Sequence, residues 1–339
     1  MEYMRRNKMT SKERMIRTLT FNKPDKIPVQ SWALPCVYEK YGQDLYDVIS
    51  KYSVDIAFPA YTNPVVGNER FEVGVYVDGW GCEWHNIKQG IVGEVKKFPL
   101  ENWDNLSDYK PPIELLSKNR ENIEKSILEN KDKFILSHWC IDIFERMQHI
   151  RGVENLLMDI AEESDEFFKL RDMVFEYYSA WVDMWLSYDV DGIVFADDWG
   201  TQISMLISPD SFRRLYKPLY AKLIKKIKAK NKYVFFHSDG YIMPIIGDLI
   251  EIGVDALNSQ LWCMDIEEIS RLYKGKVTFW GELDRQGVLA FGSTQDIKRD
   301  IDKMKELFIV NGGGLIGTAS PGDECSFENI VVTVSYWND

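Results

Sequence analysis

Apolar residues along this chain fall into two alternating textures. Short unbroken apolar runs give way to longer stretches in which apolar positions recur every three or four residues. Buried strands produce the first texture and amphipathic helices the second. Strands are predicted over residues 27–32, 54–60, 134–138, 192–196, 233–236, 256–257, 277–280 and 314–317. Residues 10–20 read as a helix: Thr10 caps, Glu13 follows three positions on, and Met15, Ile16 and Leu19 face one way. Residues 209–229 read as another, with Ser208 as cap, Pro209 at the first position and a stripe through Phe212, Leu215, Leu219, Leu223 and Ile227. Further helices are predicted over 35–50, 113–130, 141–150, 151–162, 165–188, 242–252, 265–273, 294–309 and 326–337.

About eight strands alternating with helices is the arithmetic of an α/β protein built as a single (β/α)8 TIM barrel spanning residues 1–339. An open doubly wound sheet is the runner-up. No glycine-rich turn follows the first strand, as a dinucleotide site needs, and the run Asn311-Gly312-Gly313-Gly314 precedes a strand instead of opening a helix. Residues 61–112 break the alternation. Short runs at 73–77 and 91–98, separated by Gly79, Gly81, Gly90 and Gly93, predict an N-terminal β-hairpin insertion, an excursion from the barrel. Trp80 and Trp84 within it read as packing of that small sheet against the barrel.

Composition narrows the function. Hydrophobic residues are 45% of the chain, with 11 Trp, 17 Tyr and 17 Phe, enough for a large core. A net charge of -12 argues against a nucleic-acid partner. No apolar run reaches the roughly 18 residues of a membrane span. The positively charged N-terminus, a short tail and then a helix, has no apolar segment behind it. The five cysteines (Cys36, Cys82, Cys140, Cys263 and Cys325) are scattered and form no CxxC pair, which predicts reduced thiols and a cytoplasmic protein.

The candidate chemistry sits where apolar runs end. Residues 233–240 read YVFFHSDG, residues 192–200 read GIVFADDWG, and residues 277–285 read VTFWGELDR. A barrel presents its catalytic groups at strand carboxyl ends, so these groups converge on one mouth. His237 has three roles open to it: metal ligand with Asp239 and Glu282, general base oriented by a carboxylate, or a hydrogen-bonded loop residue. Asp197 and Asp198 are adjacent and point to opposite sides if extended, so one of them faces the mouth as a catalytic or positioning group. Trp32, His138, Trp199, Asn258, Gln260 and Ser320 complete the expected lining as substrate-binding residues, and Asp284-Arg285 reads as an ion pair.

The run DGIVFADDWGTQISMLISPDSFRRLYKPLYAKL, followed by FFHSDGYIMPIIGDLIEIGVDALNSQ, resembles the uroporphyrinogen decarboxylase superfamily, as do the opening MTSKERMIRTLTFNKPDKIPV and the closing FENIVV. The resemblance covers nearly the whole chain and implies a (β/α)8 barrel and, with it, occasional homodimers. One branch implies decarboxylation of a tetrapyrrole, with an arginine-rich segment after the first strand. Here that segment is Ser31-Trp32-Ala33-Leu34-Pro35. The other branch implies zinc-dependent transfer of methyl groups to or from corrinoid proteins, with a His-x-Cys on the fifth strand and a late Cys on the last. His237 matches the first ligand, Asp239 stands at the first Cys, and the late Cys falls near Ala319 or Ser320. The resemblance therefore implies a methyltransferase moving a methyl group between a small methylated substrate and a corrinoid protein, assisted by a divalent metal, zinc first. The harder donor set His237, Asp239 and Glu282 suits polarising an oxygen of the methyl donor. A cofactorless decarboxylase and a non-catalytic ligand-binding barrel are the alternatives.

Overall fold

A computed structural model describes residues 9–139 and 141–339; Cys140 and the N-terminal tail, residues 1–8, lie outside the described residues. Among the described residues ten strands are formed: β1 (Ile56–Ala57), β2 (Gly74–Val77), β3 (Glu83–Asn86), β4 (Glu94–Lys97), β5 (Phe134–Ile135), β6 (Gly192–Ala196), β7 (Tyr233–Ser238), β8 (Ala256–Ser259), β9 (Thr278–Gly281) and β10 (Leu315–Gly317). Five of them make one parallel sheet in the order β10-β9-β8-β7-β6. A second parallel pair, β1-β5, continues it through a single bridge from Leu136 to Gly192. At the other edge Val29 bridges in parallel to Gly317 of β10.

The expected first strand, 27–32, is thus reduced to one bridge. Pro28 has no N–H to give a ladder, and two N–H groups that would face β1 go to side chains instead. Val29 N–H donates to Asp55 Oδ2 at 3.0 Å and Ser31 N–H to Ser53 Oγ at 2.6 Å. Among the described residues no ladder joins this segment to β1; the Asp55 carboxylate, itself paired with Arg14, spans the gap.

Alternation along the strands sorts the core into two parts. Ile56, Phe134, Leu136, Val194, Phe235, Ala256, Trp280 and Ile316 meet in one buried cluster on the inner face, which Met15 and Leu19 join. Their sequence neighbours Ile135, Ile193, Phe195, Val234, Phe236, Leu257, Phe279 and Leu315 face outward into the larger cluster shared with the helices. Val, Ile and aromatic side chains stand well on a pleated surface covered on both faces.

The helices follow their sequence signals closely. Ser11–Leu19 has the expected Thr10–Glu13 capping box, and Thr294–Phe308 has one from Ser293 and Asp296. Some predicted helices are divided. The stretch 113–130 becomes a short 3-10 turn, Ile113–Ser117, and the helix Ile123–Glu129, parted near Asn119, whose φ is 59°. The stretch 209–229 divides at Tyr216 into Pro209–Leu215 and Lys217–Lys228, because Pro218 cannot donate back into the first segment. No helix among the described residues is long and apolar enough to cross a membrane.

The excursion at 61–112 carries three antiparallel strands, β2-β3-β4, where sequence predicted two. The extra strand, Glu-Trp-His-Asn, buries Trp84 and Asn86 on one side and leaves Glu83 and His85 half-exposed on the other. Its single apolar residue hid it from a hydrophobic-pattern reading. Trp84 stacks on Tyr76, with centroids 5.9 Å apart, and Trp80 and Trp84 are both buried.

Candidate active site

The mouth is built above the inner cluster. His237 lies two residues after the inward-facing Phe235 on β7, so its ring rises from the same face. In register beside it stand Ala196 of β6 and Asn258 of β8. His237 Nδ1 pairs with Asn258 Oδ1, and Asn258 Nδ2 donates to the Trp280 carbonyl at 2.7 Å. Because the amide nitrogen is fixed by that carbonyl, the amide oxygen faces the ring, and Nδ1 carries the proton. Nε2 is thereby turned toward the loops.

Two carboxylates meet Nε2 there. Asp198 Oδ1 and Asp239 Oδ1 each lie 3.6 Å from it. One atom each from Asp198, His237 and Asp239 all fall within 4.8 Å of one another. The loops after β6 and β7 hold this spacing by direct backbone contact: a Cβ on Gly240, whose φ is +77°, would stand 2.2 Å from the Gly200 carbonyl oxygen. The Tyr241 N–H donates to Thr201 O at 2.7 Å, and the Asp239 N–H to Asp198 Oδ1 at 2.8 Å. Gln260 stitches the same loops by accepting from Gly240 N–H at 3.1 Å and Gln202 Nε2 at 2.6 Å.

Glu282 stands further round the mouth. Its Oε1 accepts from Ser320 Oγ at 3.1 Å, and its Oε2 is buried with no hydrogen-bond partner. Asp239 Oδ1 is orphaned in the same way. Arg285 lies between these two acids, donating to Asp239 Oδ2 and approaching Glu282 Oε2 at 3.7 Å. Burial works against a charged His237, but the charges of Asp239, Asp198 and Glu282 hold its pKa above the ordinary 6.5. Burial raises Glu282 against the pull of Arg285 and His237, and raises Asp198 against His237.

Several predicted positions fall elsewhere. Asp197 is fully buried and takes no part in the mouth. Its oxygens accept from the Phe144 and Glu145 N–H groups, each at 2.8 Å, and from the Tyr220 hydroxyl. It caps the helix Ile143–Arg151, whose own N-cap residue Asp142 makes no side-chain cap bond. Trp199 is also fully buried, stacked on Phe144 at 4.3 Å and edge-on to Phe212 and Tyr216. Neither residue has a free surface to offer a substrate. Glu282 is not in the tight group with His237 and Asp239; Asp198 takes the place predicted for it. Trp32 is half-buried at the rim, 5.4 Å from Trp139 and 5.6 Å from Trp280. His138 lines a neighbouring hollow, described below.

Sequence reasoning missed Trp139 and underread Arg285. Trp139 packs edge-on to the His237 ring at 5.6 Å and against Trp280 at 5.3 Å. Its signal was available, since it directly follows His138 at the end of a strand. Arg285 reads as the partner of its neighbour Asp284; its actual partners are Asp239 and Glu282.

The donor set suits a divalent cation. Asp239 Oδ1 is a buried oxygen without a partner, and an imidazole held through Nδ1 by a second residue is the usual arrangement of a metal-binding histidine. One nitrogen and carboxylate oxygens, with no thiolate, make a harder site than a Cys-rich one.

A parallel α/β architecture with a histidine–carboxylate group at its strand ends places the chain in a defined structural class. The family model of uroporphyrinogen decarboxylase (URO-D) matches residues 115–323, and the chain belongs to that family. No curated protein sequence matches it. Among solved structures, a methyltransferase from Methanosarcina mazei superposes with a TM-score of 0.70, covering 97% of this chain and 98% of its own at 18% identity. A sugar phosphate isomerase/epimerase from Parabacteroides distasonis is similar at a TM-score of 0.42 and 11% identity, over 92% of this chain and 98% of its own.

Proposed function

We propose that this chain is a methyltransferase that moves a methyl group between a small methylated substrate and the corrinoid of a partner protein, with a divalent metal, zinc first, on Asp198, His237 and Asp239. The observation that carries the reading is the His237 ring, fixed through Nδ1 by Asn258 with its Nε2 between two carboxylates. The likeness in fold to the M. mazei methyltransferase supports it. We also read the parallel segments as a closed (β/α)8 barrel over residues 1–339, with 61–112 as its insertion. The inner cluster, drawing on β1 and β5 through β10, supports that closure.

A bound divalent ion supplies Lewis-acid polarisation of the substrate oxygen. Asn258 keeps the ring in the tautomer that leaves Nε2 as a donor. Arg285 orients Asp239 and balances its charge. Glu282, whose burial favours the protonated form, supplies the proton that the departing oxygen takes as the methyl group leaves. The bonding pair of the C–O bond would stay on that oxygen, and a reduced corrinoid, when the partner protein presents it, would supply the electron pair for the new bond to carbon. Trp32, Trp139 and Trp280 form an apolar wall that excludes water from the transfer.

Two measurements test this reading. Purified protein is expected to hold about one equivalent of divalent metal by elemental analysis, lost in His237→Ala and Asp239→Ala. It is expected to methylate free cob(I)alamin from a methoxylated donor, followed by the cobalamin absorbance. Metal-free protein with no gain on adding zinc overturns the metal assignment.

A second reading, cofactorless decarboxylation of a tetrapyrrole or other carboxylated ring, rests on Arg285, a cation held within the mouth for a carboxylate. There the carboxylate leaves as carbon dioxide and the carbon takes the Glu282 proton. Uroporphyrinogen recovered with all its carboxylates after incubation removes its main form.

A further inference from the structure

A second hollow, of about 190 Å³, lies beside the mouth and is lined by Tyr61, Asn63, Arg70, His138, Trp139 and Glu145 among others. Trp139 is the partition, since its ring also packs against His237 at 5.6 Å. Ala196 belongs to the same wall and stands in register with His237 on the adjoining strand.

The charge pattern of this hollow is unusual for the molecule. The buried arginines Arg14, Arg146 and Arg151 each hold carboxylates: Asp25 and Asp55, Asp78 and Asp142, and Asp159. Arg70 is half-buried, and its Nε is shut off from solvent without a partner. Its guanidinium makes no ion pair among the described residues and rests on the Phe71 ring, 4.8 Å from the centroid. His138 Nδ1 is likewise buried with no partner. The two acids lining the hollow form no ion pair with Arg70 among the described residues: Asp142 is held by Arg146 and Tyr178, and Glu145 stands 4.0 Å from His149 Nε2. With its Nε buried and unanswered, Arg70 keeps a donor available for a ligand that enters the hollow.

We propose that this hollow binds a carboxylate of the substrate, with Arg70 as its counter-charge and the unpartnered His138 beside it, while the reacting end of the same molecule lies past Trp139 at His237. The hollow is below the roughly 300 Å³ at which pockets for drug-sized ligands begin, so it suits a small carboxylated group and not a whole macrocycle. The planar guanidinium matches a carboxylate through two parallel hydrogen bonds, which a lysine does not. The inference rests on the active-site assignment for the position of the reacting end only; the carboxylate site stands without methyl transfer.

Calorimetric titration of the full chain with sodium benzoate and with benzamide, a neutral analogue of the same shape, tests it. Benzoate is expected to bind at least tenfold tighter than benzamide. Arg70→Gln is expected to weaken benzoate at least tenfold and leave benzamide unchanged, Arg70→Lys to restore part of the loss, and His237→Gln to keep the benzoate affinity. Equal affinities for the two probes, no benzoate binding by the wild type, or a loss in His237→Gln in place of Arg70→Gln each overturn the proposal. A protein inert toward cob(I)alamin that still binds benzoate through Arg70 fails the methyl-transfer reading and keeps this one.

Discussion

Two groups of buried acids, one around Asp78 in the excursion and one around His237 at the strand ends, are built on opposite rules. Around Asp78 every oxygen is answered: Oδ1 accepts from Trp80 and Cys82 N–H groups at 2.9 and 3.0 Å, and Oδ2 from Trp84 Nε1 and Arg146 at 3.0 and 3.1 Å. Around His237 the acids are left incomplete, with Asp239 Oδ1 and Glu282 Oε2 buried and unanswered. A satisfied buried carboxylate specifies a fold, whereas an unsatisfied one raises the energy of the empty state and lowers the cost of taking up a ligand. The contrast separates a structural acid from a functional one where residue type and burial do not.

The largest test of this contrast is at Asp78. Asp78→Ala leaves Arg146 without one of its two carboxylates and several N–H groups without an acceptor, and is expected to destabilise the protein by about 3–5 kcal/mol in urea unfolding. Asp239→Asn is expected to be neutral or stabilising in the metal-free protein by the same measurement. A large loss at Asp239 would erase the distinction. Next in size is metal addition. Zinc at a hundredfold excess over its dissociation constant is expected to stabilise the wild type by about 2.7 kcal/mol and to leave His237→Ala unmoved. Asp197→Ala, which removes a helix cap and a tyrosine partner, is expected to cost about 2 kcal/mol while leaving metal content intact. If instead metal is lost with stability unchanged, Asp197 belongs to the mouth.

The smallest effect is a pH slope. Burial raises Asp142, against the charge of Arg146, from 3.8 to about 6. A carboxyl raised in the folded state contributes stability that is complete below its unfolded pKa and is lost as pH rises through the folded one. Wild-type stability is therefore expected to fall between about pH 4 and pH 6, relative to Asp142→Asn, by no more than about 1.4 kcal/mol per pH unit. A difference that does not change with pH would show that Arg146 already holds the carboxylate charged.

The alternation of strands and helices was legible because burial on both faces leaves an unbroken apolar run, and the run 233–236 ending in His237 marked the mouth directly. What failed is instructive. Asp197 and Asp198 differ only in which side of one peptide they occupy, and the deciding fact is the pair of unanswered N–H groups at Phe144 and Glu145, more than fifty residues earlier. No local pattern encodes that need. Trp199 looked like a lining residue because it follows two acids, but the space beside it is already filled by Phe144 and Tyr216. Arg285 was assigned to its sequence neighbour because the nearness of the loops after β7 and β9 is a property of the folded sheet and not of the residues around it. Arg70 was passed over for the same reason: it comes from the excursion and reaches the hollow beside the mouth only after the chain has folded back.

The touching glycines, Gly200 and Gly240, have a consequence for how such a site changes over time. With no side chain on either, one loop cannot drift without carrying the other, so the gap between positions 198 and 239 is a fixed dimension. Donor atoms at those positions are then interchangeable parts in a rigid frame. Sulfur or oxygen can be installed by a single codon without rebuilding the loops, and if the site holds the proposed ion, a lineage can trade one preferred ion, and the chemistry that comes with it, for another.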